Sequence, residues 1–156
     1  MLVLSLIISI TLLDQITKYL IRHYLYLGNS VPVISGIFNL SYTQNTGAAF
    51  GILQGANFFL ISLSIVVLVL LVIFRRSIFG DGILYRIGIG LVTGGIVGNL
   101  IDRLRLGYVV DFLDFHWKTR HFPAFNVADA YICVGVGLYI IMQIMFQKPA
   151  DGKFGK

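Results

Sequence analysis

The sequence predicts an all-α membrane protein: four transmembrane helices with a small exterior β-sheet platform in the first outer loop. Three observations carry that reading. Hydrophobic residues make up 57% of the 156-residue chain and charged residues only 12%, against about 25% charged in soluble domains. Four apolar runs are each long enough to cross a bilayer, which takes about 20 residues. The chain contains no Glu, and its seven acidic residues are all Asp, most of them close to apolar runs where lipid burial is costly.

The runs cover residues 2–27, 56–74, 83–104 and 122–146 and make one polytopic domain of residues 1–156. The first passes Asp14, Lys18 and Arg22. It lacks a basic lead and a small-residue cleavage site, so a retained helix is expected rather than a signal peptide. The second has no charge. The third has Arg86 near its start and a polar group, Asn99, Asp102 and Arg103, at its end. The fourth carries Asp129 in its first third. Gly90, Gly94 and Gly98 recur every four residues in the third run, the spacing that lets helices approach closely in lipid. No strand precedes them and no Lys-Ser/Thr follows, so the signal for a nucleotide loop is very weak. Residues 30–42, SVPVISGIFNLSY, alternate apolar and other side chains as short strands do. That segment is expected to lie on the membrane surface and to offer an edge for an extended peptide.

Four spans put both termini on one side. Arg75, Arg76, Arg86, Lys148, Lys153 and Lys156 fall there against Arg105, Lys118 and Arg120 on the other side, and this modest bias favours a cytoplasmic place for the termini. The polar groups then sort to the opposite side. Asp14 and Lys18 sit in the outer half of the first helix; Asn45 and Gly47 precede the second. Asn99, Asp102 and Arg103 end the third, and Asn126 and Asp129 open the fourth. The net charge of +5 is read as helix anchoring and affinity for lipid headgroups, not nucleic acid, because no basic stripe is long enough.

Two carboxylates held together cannot easily both ionise and share a proton near neutral pH. Asp111, in VVDFLDF, and Asp129, in FNVAD, are the expected catalytic pair. One takes a proton from water as it attacks a carbonyl carbon, and the other protonates the carbonyl oxygen. Asp114 is the rival: it shares a face with Asp111 if the segment is helical and opposes it if extended. Asp14 and Lys18, four apart, read as a supporting ion pair, and Asp102 as the residue that holds Arg103. Cys133, the single cysteine, is expected to be a small packing residue. His23, His116 and His121 form no HExxH, and no Ser lies in GxSxG, so zinc and serine chemistry are disfavoured. A rival function, a proton-coupled transporter subunit, needs ionisable groups through the membrane depth, and the inner halves of the helices are nearly bare of them.

With these residues in view, the chain resembles the lipoprotein signal peptidase (signal peptidase II) family. The matching stretches are DQITK (14–18), QNTGAAF (44–50), GGIVGNLIDRL (94–104), VVDFLDF (109–115) and FPAFNVADAYICVG (122–135). They occur in the family's order over essentially the whole chain. Ala130 departs from the family, where a Ser is frequent. The resemblance implies an aspartic endopeptidase of the bacterial cytoplasmic membrane, with Asp111 and Asp129 catalytic near the outer face. It implies substrate-contacting or site-shaping roles for Asn45, Gly47, Asn99, Arg103 and Asn126, and support from Asp14 and Lys18. The implied substrate is a diacylglyceryl-modified prolipoprotein, cut just before its lipidated cysteine. No metal or cofactor is implied, the cyclic peptide globomycin is the implied inhibitor, and the expected state is a monomer in contact with lipid.

Overall fold

The computed structural model describes residues 1–79 and 82–146. Asp81, Lys148, Asp151, Lys153 and Lys156 lie outside the described residues. Four helices, α1 (Leu2–Tyr24), α2 (Asn57–Phe79), α3 (Ile83–Leu106) and α4 (Val127–Phe146), are joined by two strand pairs, β1 (Ser30–Ile34) with β2 (Phe38–Asn45) after α1 and β3 (Val109–Trp117) with β4 (Arg120–His121) after α3. All four helices are long and apolar enough to cross a membrane.

α3 is the central helix, and its glycines explain why. A Cβ at Gly90 would meet Leu6, one at Gly94 would meet Ile7 and Ile10, and one at Gly98 would meet Asp14. The four-residue spacing on α3 matches the spacing on α1, so the two run parallel along a small-residue seam. A second seam faces α4: a Cβ at Gly95 would lie 2.5 Å from Ala128 O, and Gly88 faces Gly135 O. Overpacking of this kind costs about 1–3 kcal/mol. Gly95→Val is therefore expected to lower the thermal midpoint in detergent, read by loss of the monodisperse chromatographic peak; an unchanged midpoint would show that α4 can move aside.

Helix ends follow local chemistry. α1 stops at Tyr24, short of residue 27, because Leu25 is extended and Gly28 turns the chain at φ +82°. α3 runs on to Leu106 and ends at Gly107, whose φ of 83° is the left-handed stop that glycine allows. α4 begins at Val127 rather than 122. Residues 122–126 instead run beside β3, with Phe125 O accepting from Phe112 N and Leu113 N. Pro123 disfavours a helical residue before it, which opposes an earlier start.

The antiparallel sheet has the order β1-β2-β3-β4. It is not built from the segment after α1 alone, as expected: half of its strands come from between α3 and α4. β2 pairs with β3 so that Thr43 faces Asp111 and Asn39 faces Asp114, with an irregularity between Leu40 and Thr43. The sheet caps the bundle where α1 and α3 end and α2 and α4 begin, seated on a cluster of Ile21, Tyr42, Val110 and Phe112.

Candidate active site

Asp111 lies on β3, so its local geometry is extended, and it turns away from Asp114. Asp114 accepts from Asn39 and is 2.7 Å from His121 Nδ1, apart from the cavity that Asp111 lines. Asp129 is the third residue of α4. It forms a reciprocal cap with Asn126: Asp129 N donates to Asn126 Oδ1 at 3.0 Å, and Asn126 N donates to Asp129 Oδ2 at 3.3 Å. This is a capping box with Asp in the usual place of Glu. The same Asn126, fully buried, donates its Nδ2 to Asp111 Oδ1 at 2.7 Å. One asparagine thus ties the two carboxyl groups together.

Three asparagines share one design. Each has its side-chain oxygen held by a group that can only donate, so its NH2 must point the other way. Gly47 N donates to Asn45 Oδ1 at 2.9 Å in an Asx turn, leaving Asn45 Nδ2 on Asp111 Oδ2 at 2.9 Å. Lys18 Nζ donates to Asn99 Oδ1 at 2.7 Å, leaving Asn99 Nδ2 on Asp129 Oδ1 at 2.7 Å. Asp129 N holds Asn126 as described. All four carboxylate oxygens accordingly accept an N–H. Gly47 is needed for the loop to close, because a Cβ there would sit 2.5 Å from Ile52 O.

Behind this layer lies a buried ion cluster. Lys18, 2% exposed, is 2.9 Å from Asp14 and 3.1 Å from Asp102. Asp14 also accepts from Ala128 N, fastening the start of α4 to α1. Asp102 does not hold Arg103. Its oxygens take Gln15 Nε2, Lys18 Nζ and Val110 N, because its side chain turns to α1 and β3. Arg103 instead donates to Gly47 O at 2.8 Å and lines the cavity. The spacing of Asp14 and Lys18 announced their pair, but not the onward bond to Asn99. Gln15, which bridges Asp14, Gly98 O and Asp102, carried no signal beyond its place in DQITK.

The carboxylates open on a cavity of about 460 Å³ whose walls are largely apolar, among them Ala48, Val109, Phe122 and Ile132. Burial, and next the charge of Asp129, push the Asp111 carboxyl up to about 7; the bonds from Asn45 and Asn126 and the charge of Lys18 work against this. Cys133 is exposed and lines the cavity rather than filling a core. Among the described residues no three His, Cys, Asp or Glu are gathered to hold a metal; His116 and His121 stack on each other at 4.8 Å.

The family model described as signal peptidase (SPase) II matches residues 6–145. The chain belongs to the signal peptidase II family. The lipoprotein signal peptidase of Syntrophotalea carbinolica is 48% identical over 92% of this chain and 89% of its own length. That of Geobacter metallireducens is 43% identical over 91% and 90%. Two solved structures of bacterial membrane enzymes, each 34% identical, superpose with TM-scores of 0.87 and 0.81. They cover 99% and 94% of this chain, and 94% of each solved chain. Membership makes the chain a membrane protease.

Proposed function

We propose that this chain removes the signal peptide from diacylglyceryl-modified prolipoproteins as an aspartic endopeptidase, cutting just before the lipidated cysteine. The observation that carries the reading is the pair Asp111 and Asp129, both bound to Asn126 at the mouth of one apolar-walled cavity. The pair holds one proton. Its ionised member takes a proton from water as the water oxygen attacks the scissile carbonyl carbon, and its protonated member gives its proton to the carbonyl oxygen. The C–N bond then breaks, and the nitrogen leaves with a proton returned by the pair. The amides of Asn45, Asn99 and Asn126 keep the carboxylates in place, and Arg103, braced on Gly47 O, offers a polar group in the cavity to the substrate chain.

The apolar walls suit a lipidated substrate arriving sideways from the bilayer. We place the sheet-bearing end at the outer face of the bacterial cytoplasmic membrane, with both termini cytoplasmic, the side that the basic residues favour, and take the enzyme to act as a monomer. Nothing supports the transporter reading. Among the described residues the buried ionisable groups are gathered at the sheet-bearing end, where they make no path through the membrane. The direct test is a gel-shift assay with a diacylated prolipoprotein and the purified chain. A mature-sized product with an N-terminal lipidated cysteine is expected; no shift, or a cut elsewhere, would overturn the proposal.

The raised Asp111 group gives the sign of the pH dependence. Its protonated form is the one that folding favours, so its contribution to stability is fully present at acid pH and fades as pH rises through about 7. The shared proton is lost over the same range. The rate is expected to be bell-shaped in pH with its alkaline limb near 7, a property of the pair rather than of one residue. A rate that stays flat from pH 6 to 9 would remove the shared proton from the mechanism.

A further inference from the structure

A second cleft opens between the sheet-bearing ends of α1 and α3, apart from the cavity of the two carboxylates. It measures about 50 Å³, and its lining includes Gln15, Lys18, Tyr19 and Arg22 from α1 and Asp102 and Arg105 from α3. Its floor is saturated: Lys18 and Asp102 are buried and paired, and the Gln15 amide bonds Asp102 and Gly98 O. Its rim is different. Arg22 and Arg105 are exposed, and among the described residues neither makes an ion pair.

Each arginine alone has a simple explanation. Both stand in the last turn of a helix, where a cation complements the helix dipole, and long basic side chains reach for water at membrane edges. Neither reason accounts for two of them meeting over one cleft, where like charges repel. Among the residues lining the cleft, the cations Lys18, Arg22 and Arg105 outnumber the carboxylate of Asp102, so an excess of positive charge is left. A phosphodiester carries charge of the opposite sign. The surroundings are those of a lipid. Tyr19, Tyr24 and Tyr26 are exposed, as aromatic side chains are at headgroup level. Ile8, Leu12 and Ile16, exposed at four-residue spacing, make an apolar stripe leading away from the cleft along α1.

We propose that this cleft binds the phosphodiester headgroup of an anionic phospholipid. The guanidinium forks of Arg22 and Arg105 take the phosphate oxygens, and the acyl chains lie along the α1 stripe. The site does not depend on the peptidase reading. It sits against the Asp102–Lys18 pair, so an occupied cleft braces the seam between α1 and α3.

The full chain, delipidated in detergent, would be titrated with phosphatidylglycerol, phosphatidylcholine or inorganic phosphate and followed by native mass spectrometry. One phosphatidylglycerol is expected to bind at least tenfold more tightly than phosphatidylcholine. Arg22→Gln and Arg105→Gln, each separately, are expected to weaken it at least tenfold. Arg86→Gln, at the far end of α3, is expected to leave it unchanged. Should one variant fail to fold, the other still reads the site. Equal affinity in wild type and both variants, or an equal loss in Arg86→Gln, overturns the site. Inorganic phosphate binding as tightly as phosphatidylglycerol overturns the lipid as its source.

Discussion

Asp111→Asn and Asp129→Asn should each abolish cleavage of a diacylated prolipoprotein while the protein remains folded. The expected loss is at least about 10²- to 10⁴-fold, the range for removing one proton-transfer partner. An amide at either position can neither take the proton of water nor share one with its neighbour. It also turns an NH2 toward a donor that formerly met an oxygen: Asn45 or Asn126 at position 111, and Asn99 or the Asn126 N–H at position 129. Because the pair acts as a unit, the double variant should be no slower than either single one. Gel-shift rates on chromatographically monodisperse protein decide the matter. Activity within tenfold of wild type in either variant would remove that residue from the chemistry.

Lys18→Met should have the largest effect on stability. Lys18 is 2% exposed and stands between Asp14 and Asp102 at 2.9 and 3.1 Å. Removing it leaves two carboxylates buried without a cation, and breaking a buried pair from one side costs about 3–5 kcal/mol. It also frees the Asn99 oxygen, so nothing forces the Asn99 NH2 onto Asp129. The double variant Lys18→Met with Asp14→Asn separates the two effects. Its asparagine still offers an oxygen to Ala128 N and removes one stranded charge, so the thermal midpoint should recover in part. Cleavage should stay low, because Asn99 still lacks its lysine. A folded double variant with full activity would mean that Lys18 serves the fold alone.

Much of the bundle was legible because its signals are local. Hydropathy marks a span residue by residue. The four-residue step of Gly90, Gly94 and Gly98 marks a seam on one helix face whatever the partner is. The sheet was half missed, since VVDFLDF reads as apolar residues around two carboxylates until β2 is beside it to supply backbone partners. The start of α4 was misplaced because residues 122–126 are apolar enough for a span, and only their bonds to β3 draw them out of the helix.

The sequence by itself determined four membrane-length helices, the gathering of polar residues at one end of them, and the two aspartates worth testing. The helices follow from composition, and the gathering follows from the alternation of four spans, so neither needs a side-chain contact to be known. Only the tertiary structure decided which way each asparagine amide faces, that Lys18 reaches Asp129 through Asn99, and that two arginines close over one cleft. The amide contacts to Asp111, Asp129 and Lys18 join residues 15, 30, 66 and 81 positions apart, all of them on different elements of the chain. A hydrogen bond has a direction only when both partners are in place, so a donor's choice of acceptor is a property of the assembled bundle.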